Sequence, residues 1–378
     1  MSSLPSGWTV KPLGDVATLQ RGFDLPVHQR TSGDIPVFAA NGPVGTHNVP
    51  KVSGPGVVTG RSGTLGEVHY VESDYWPLNT ALWVKDFHGN EPKWVARLLK
   101  WMRLETHTRG TGVPTLNRNL VHVVPVLVPP LEEQRRIAAI LDKADAVRRK
   151  RKEAIALTEE LLRSAFLEMF GDPVTNPKGW EVMPMHKVIQ DIEAGWSANS
   201  EERRCENDEW GVLKISAVTS GRFQANDHKV VEEPSFKKPP IIPQRGDLLF
   251  SRANTRELVA ATCLVEKDYE RLFLPDKLWR IKPEPKVANA EYLRFLLSDT
   301  KYRSLIAGKA TGTSGSMLNV SQAKLLEMNA PIPQLEIQQR FAEVVWQTFK
   351  MRERYELGFT KTDSMFNSIL QRAFRGEL

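Results

Sequence analysis

Cysteine is almost missing from this chain of 378 residues: Cys205 and Cys263 are the only two. That excludes a disulfide framework and a thiolate metal site, and both thiols read as reduced and incidental. No apolar run reaches the length needed to cross a bilayer, and Met1 to Leu13 contains no apolar segment of signal-peptide type. The expected location is therefore the cytoplasm. Catalytic signatures are missing as well. There is no phosphate loop ending in Gly-Lys-Ser or Gly-Lys-Thr, no Ser in a Gly-x-Ser-x-Gly elbow, and the eight His lack metal-ligand spacing. Adenine methyltransferases need Asn or Asp ahead of Pro-Pro, but here Val128 precedes Pro129 and Pro130, and Lys238 precedes Pro239 and Pro240. The acid-x-Lys pairs Glu91 with Lys93 and Glu284 with Lys286 each enclose a proline, and chance explains them. The residues point to no catalytic centre and no metal.

What is present is a repetition. Pro5, Gly7, Trp8, Val10, Pro12 and Val16 return 172 positions later as Pro177, Gly179, Trp180, Val182, Pro184 and Val188. Pro129, Leu131, Glu132, Gln134, Arg136 and Ala138 return 204 positions later as Pro333, Leu335, Glu336, Gln338, Arg340 and Ala342. A period this long marks duplication of a whole domain with its following helix rather than a solenoid. Charged residues make up 25% and hydrophobic residues 41%, the balance of a globular protein with room for two cores. The net charge of +6 divides as +3 over 1–130 and +1 over each of 131–171, 172–332 and 333–378. It permits a nucleic-acid partner, provided that folding gathers scattered Arg and Lys on one face.

Two segments are helical in every respect. Leu131 to Met169 has neither Gly nor Pro, follows Pro129 and Pro130, carries Glu132 and Glu133 in its first turn, and stops at Gly171. Leu335 to Phe374 is its copy. Heptad positions step by four and three through Ile137, Leu141, Ala144, Arg148, Arg151, Ile155, Thr158, Leu162, Ala165 and Met169. The second stripe is Phe341, Val345, Thr348, Arg352, Tyr355, Phe359, Thr362, Phe366, Ile369 and Ala373. Ile137, Leu141, Ile155 and Leu162 are expected to pair with Phe341, Val345, Phe359 and Phe366. At about 1.5 Å per residue each helix is roughly 55 to 60 Å long, the length of a spacer. Separate packing of each helix on its own domain is the plainer alternative. The basic run from Arg148 to Lys152 reads as a solvated helix face, because Glu153, Glu159 and Glu160 follow it.

The remainder reads as mixed α/β. Strands are expected at Val57–Thr59, Leu65–Val71 and Thr80–Val84, followed by a helix over Trp94–Leu104. The second half gives strands at Leu248–Ser251, Val259–Val265 and Leu278–Ile281, then a helix over Ala290–Leu305. Trp8, Trp76, Trp83, Trp180 and Trp279 are assigned to cores rather than to base stacking. Two loops per half combine glycine or small residues with donors suited to phosphates and base edges. The first offers Arg61, Ser62 and Thr64, matched by Arg252, Asn254, Thr255 and Arg256. The second offers Arg109, Thr111, Asn117 and Arg118, matched by Lys309, Thr311, Thr313, Ser314 and Asn319, with Leu116 and Asn117 aligned on Leu318 and Asn319. Hairpin turns and linkers have the same composition, so a purely structural role stands beside the DNA-contacting one.

Two variable domains, each followed by a Pro-x-Leu-Glu-x-Gln-x-Arg helix, make the chain similar to the specificity subunits of Type I restriction-modification systems. Pro130 to Ile140 with Gln334 to Val344, and Ala165-Phe166 with Ala373-Phe374, carry the resemblance. The last pairs lie 208 apart, as if the second helix were one turn longer. The resemblance implies an α+β fold: two target-recognition domains, 1–130 and 172–332, separated by two long antiparallel helices, 131–171 and 333–378, that form an intrachain coiled coil with a pseudo-two-fold repeat. It implies a non-catalytic subunit that reads a bipartite double-stranded DNA target and docks two methyltransferase subunits and restriction-translocase subunits. S-adenosylmethionine, ATP and magnesium would belong to those partners. A self-contained DNA-modifying or restriction enzyme and a helical protein-binding scaffold are the other readings.

Overall fold

The duplicated opening is built as a duplicated strand pair in the computed structural model, which describes residues 4–109, 114–206, 208–231, 238–312 and 317–378. Thr9–Pro12 runs antiparallel to Pro125–Val128, and Glu181–Pro184 runs antiparallel to Asn329–Ile332. Each pair thus ties the Gly-Trp opening to the strand that feeds a long helix. The first half carries helices α1 (Pro92–Trp101) and α2 (Arg118–His122) and leads into α3 (Leu131–Phe170). The second carries α4 (Ser216–Thr219), α5 (Ala290–Ser298), α6 (Thr300–Lys309) and α7 (Gln322–Leu326) and leads into α8 (Leu335–Arg375). The chain forms two compact units, Met1–Glu153 with Glu356–Leu378, and Ala154–Tyr355, so both long helices contribute to both units.

Each unit centres on a four-stranded antiparallel sheet of the same order. In the first, Thr18–Arg21, Ala81–Asp86, Gly56–Gly60 and Val68–Val71 lie side by side; in the second, Ile189–Ala194, Leu278–Pro283, Leu248–Ser251 and Thr262–Leu264 do. Gly56–Gly60 and Leu248–Ser251 are buried along their whole length because both faces are covered. The alternation of a strand sorts their side chains: Val57 joins the core under α1, while Val58 joins a second cluster with Phe38, Val71 and Tyr75. Leu248 and Phe250 likewise face the main core and Leu249 the other side. That other side is a small mixed sheet, Gly42–His47 with Ile35–Ala39 and Trp76–Pro77 in the first unit. In the second it is Ser200–Glu201, His228–Val231, Gly211–Leu213 and Leu272–Phe273.

The long helices are antiparallel, and each unit demonstrates it separately. Ile137 and Leu141 near the start of α3 share a core with Phe366, Leu370, Ala373 and Phe374 near the end of α8. Leu162, Phe166 and Phe170 near the end of α3 share the other with Phe341, Val345 and Phe349 near the start of α8. Ile155 and Phe359, in the middle of the stripes, are half-buried. The two helices are 40 and 41 residues long, so the offset of 208 reflects aromatic placement rather than an additional turn. Both end at a glycine with positive φ, 79° at Gly171 and 73° at Gly376. A β-carbon would lie 2.8 Å from Cγ of Pro177 at the first and 2.7 Å from Cγ of Pro5 at the second. The end of each helix is thereby fitted to a Pro-x-Gly-Trp opening.

Two of the arginines on the stripes, Arg148 and Arg352, are paired. Arg148 binds Asp145 at 2.7 Å and Asp363 of α8 at 3.1 Å, and its guanidinium lies 4.7 Å from the Phe366 ring. Burial works against the Asp145 carboxylate, yet Arg97 and Arg148 hold its pKa below the usual value. Arg352, 2% exposed, pairs with Glu266 of the second sheet domain and lies over Phe349. The Arg151 side chain lies across mid-helix Gly358, where a β-carbon would fall 2.1 Å from its Nη1. Arg149, Lys150 and Lys152 are exposed, as a solvated face requires.

Several strand and helix limits differ from the sequence expectation. The strand expected over Val259–Val265 is only Thr262–Leu264, because Ala260 turns the chain with φ of 61°. Val68–Val71 replaces Leu65–Val71, since Gly66 at φ 85° ends a turn. The helix expected over Ala290–Leu305 breaks at Asp299, whose carboxylate accepts the N–H groups of Lys301 and Tyr302 and caps α6. Trp94–Leu104 is helical only to Trp101 and tightens to a 3-10 turn at Leu104–His107. Trp279 is 2% exposed and stacks on Phe250 at 5.5 Å in the main core, whereas Trp83 is half-buried against Phe23 on the other face of its sheet, so Leu82 and not Trp83 stands at the place of Trp279. Among the described residues no helix is long and apolar enough to cross a membrane.

Candidate nucleic-acid interface

The two candidate loops of each half meet. In the first unit the N–H of Arg61 bonds the carbonyl of Thr80 at 2.9 Å, and the carbonyl of Arg61 accepts the N–H of Leu116 at 2.8 Å. Ser62 bridges Thr115, and Gly63 donates to Pro114 at 3.3 Å. In the second unit the N–H of Arg252 bonds Lys277 at 3.1 Å, and its carbonyl accepts the N–H of Val320 at 2.8 Å. Ala253–Asn254 then pairs with Leu318–Asn319. The same main-chain tie therefore places Arg61 and Arg252 at corresponding corners, both half-buried.

This tie also corrects the alignment of the second loop. Leu116 and Val320 are the matching residues, 2% and 1% exposed. Asn117 and Ser321 follow them as helix caps: Oδ1 of Asn117 accepts the N–H of Asn119 at 3.0 Å, and Oγ of Ser321 accepts that of Lys324 at 3.3 Å. Leu116 and Asn117 thus do not correspond to Leu318 and Asn319, and Asn117 has a structural task at the start of α2.

Other candidates fall around the tie. Thr64 is exposed, and its carbonyl oxygen lies so close to Gly60 that a β-carbon there would be 2.0 Å away. Arg118 is exposed, with Nη1 at 3.4 Å from the carbonyl of Leu19. The Arg61 guanidinium reaches the carbonyl of Asn79 at 3.4 Å. Oδ1 of Asn254 accepts the N–H of Thr255 at 2.9 Å, which shapes the turn leading to exposed Arg256. Arg256 lines a hollow of about 300 Å³ with Glu257, Thr300, Arg303 and Ser304. Lys309 closes α6 and is exposed, and Thr311 bridges Asn319 through the backbone. Arg109 is placed only through its backbone, opposite Thr115. Thr111, Thr313 and Ser314 lie outside the described residues.

Arg303 was invisible to the sequence pattern. Its Nε donates to Val259 at 2.9 Å and its Nη2 to Glu257 at 2.5 Å, so it braces the turn that carries Arg256. Only its place in the helical stretch after the strands was readable. Among the described residues no group of three His, Cys, Asp or Glu could hold a metal ion.

A pair of matched domains with matched loops, each joined to a long helix, is the architecture of one known family. The profile of the Type I restriction modification DNA specificity domain matches residues 5–157 and again 177–353. The chain belongs to this family. Both matches begin at the Pro-x-Gly-Trp openings. The chain is similar to the Type I restriction enzyme EcoEI specificity subunit of Escherichia coli, 29% identical over 180 residues, 47% of this chain and 30% of that subunit. The EcoKI specificity subunit of Escherichia coli strain K12 is 24% identical, over 99% of this chain and 90% of that one. In fold, the chain is similar to the solved S subunit of a Type I restriction-modification system from M. genitalium, with a TM-score of 0.63, 13% identity, and coverage of 97% and 96%. A second solved chain, from a study of complex assembly and conformational transition of the type I R-M system, gives a TM-score of 0.54 and 19% identity, each chain covered in full.

Proposed function

We propose that this specificity-family chain reads a two-part sequence on double-stranded DNA, one half with each domain, and carries that address to methyltransferase and restriction-translocase subunits of a Type I complex. The reading domains are 1–130 and 172–332, and the spacers are 131–171 and 333–378. The carrying observation is the repeated tie that sets Arg61 and Arg252 at corresponding corners of two similar units. A bidentate donor on a turn suits a guanine edge or a phosphate, and Ser62, Thr64, Asn254, Thr255 and Arg256 add donors beside it. Arg109, Arg118 and Lys309, with Thr111, Thr313, Ser314 and Asn319, belong to the second loop of the same surfaces. The chain targets and does no chemistry; S-adenosylmethionine, ATP and magnesium are held by its partners.

Exposed apolar side chains on the helices support the docking role. Val147, Leu157 and Leu161 of α3 and Leu357 and Met365 of α8 are each about half exposed, which a partner's surface would cover. Reading on one face of duplex DNA requires half-sites separated in steps of the helical turn, roughly 34 to 36 Å. Removal of one turn of α3 between 137 and 165 tests the spacer: methylation mapping of the assembled complex is expected to report a changed gap between half-sites, and an unchanged gap refutes it. The purified chain incubated alone with DNA and a labelled methyl donor is expected to transfer no label.

A further inference from the structure

The glutamine of each Pro-x-Leu-Glu-x-Gln repeat is a joint. Gln134 is 2% exposed and Gln338 0% exposed, although both stand in the first turn of a long helix. Oε1 of Gln134 accepts the N–H of Glu91 at 2.9 Å, at the start of α1, and its Nε2 donates to Oδ1 of Asn90 at 2.8 Å and to the carbonyl of Pro129 at 3.0 Å. Oε1 of Gln338 accepts the N–H of Asn289 at 3.1 Å, at the start of α5, and its Nε2 donates to Val287 at 3.0 Å and Pro333 at 2.8 Å. Each amide thus fastens the beginning of a spacer helix to the beginning of a domain helix and leaves neither donor idle.

The joint reaches the candidate reading loops through one strand. Asn90 passes the connection to Val16 at 3.1 Å and to Phe87 at 2.9 Å, immediately beyond Ala81–Asp86. The residue ahead of that strand, Thr80, holds the N–H of Arg61. In the second unit Val287 lies beyond Leu278–Pro283, and Lys277 ahead of that strand holds the N–H of Arg252. One strand is therefore gripped by the glutamine joint at one end and carries the arginine corner at the other, in both units.

We infer that Gln134 and Gln338 are positioning residues that fix the attitude at which each reading domain is carried on its helix, and so set the gap between half-sites that the protein accepts. The inference rests on the reading proposed above. The test uses the full chain assembled with its methyltransferase partners and DNA bearing the target with its native gap, with a gap one base pair shorter or longer, or with single-base changes inside a half-site. Gln134→Met and Gln338→Met are expected to reduce the preference for the native gap about tenfold, the equivalent of one buried bond lost, while the ranking of single-base changes stays as in the parent. Variants that melt and assemble like the parent and keep its gap preference, or that lose base ranking instead, overturn the inference. If the parent shows no preference for a bipartite target, the proposed function fails instead. Amide exchange on the unaltered chain provides a reading that does not depend on the variants folding: the N–H groups of Glu91 and Asn289 are expected to be protected like helix-interior amides, and exchange at open-loop rates overturns the joint.

Discussion

The two halves keep the same four-stranded sheet order, loop tie and opening strand pair, and differ in how side chains are employed around them. Arg148 and Arg352 occupy the same place in the repeat, but Arg148 faces Asp363 across the helix pair while Arg352 turns to Glu266 in its sheet domain. Asn90 relays the Gln134 amide, whereas Asn289, beside Gln338, accepts the N–H of Tyr292 at 2.8 Å and caps α5. The second core is lined with rings, Phe166, Phe170, Tyr292, Phe295 and Phe341, where the first has Ile137 and Leu141 with Trp94 and Phe374. Backbone bonds constrain where chain segments lie and leave side-chain chemistry open, so two copies can share strands, ties and caps while their polar and aromatic partners diverge.

Truncating matched core positions is expected to have the largest effect. Phe341→Ala removes a ring held 5.1 to 5.7 Å from Phe166, Phe170 and Phe295, and is expected to cost about 4 kcal/mol against about 3 kcal/mol for Ile137→Ala. Urea unfolding measures both, and equal losses would show that the aromatic lining adds nothing. Next come the seam arginines. Arg352→Met leaves Glu266 without its guanidinium and is expected to cost about 2 to 3 kcal/mol. Arg148→Met, at a more exposed pair whose Asp145 retains Arg97 at 3.2 Å, is expected to cost about 1 kcal/mol. The reverse order would dissolve the contrast.

Arg61→Ala and Arg252→Ala are expected to weaken binding by about 1 to 2 kcal/mol, each at its own half-site alone, measured by mobility shift on singly altered targets. Loss at both half-sites, or at neither, removes these corners from the reading surface. The smallest effect concerns acid. Burial, assisted by the charge of Arg118, lowers the pKa of His122 below its usual 6.5, and the neutral ring accepts the N–H of Leu19 at 2.9 Å. A histidine whose pKa is lower when folded gives stability that is complete above about pH 6.5 and is lost as pH falls through the folded value. The matching residue of α7 is Leu326, so only the first half should sense this change. His122→Gln is expected to flatten the acid side of the urea midpoint between about pH 7.5 and 5.5, by less than about 1 kcal/mol; an unchanged slope rejects it.

Local, periodic signals made most of the architecture readable. Pro129, Glu132, Glu133 and Gly171 delimit α3 because caps and dipoles act within one turn, and the heptad stripe predicts which faces are buried. The four-stranded sheets were partly legible from short apolar runs. The small mixed sheets were not, since Trp76–Pro77 and Leu272–Phe273 are strands only through parallel partners distant in sequence. Asp299 conceals a helix break inside a continuous helical pattern, and the loop alignment slipped by two residues because only the bonds of Arg61 and Arg252 define it. Gln134 and Gln338 were visible as a repeat, but their task depends on a distant N–H that no spacing reveals.

The tie that closes both loops is made wholly of backbone atoms, N–H to carbonyl, at Arg61 and Arg252. Exchanging the side chains displayed around it alters what is touched without moving where touching occurs. In a protein that discriminates sequences, this uncouples innovation from folding: new preferences become accessible by isolated replacements, and one half can change its target while the other retains its own.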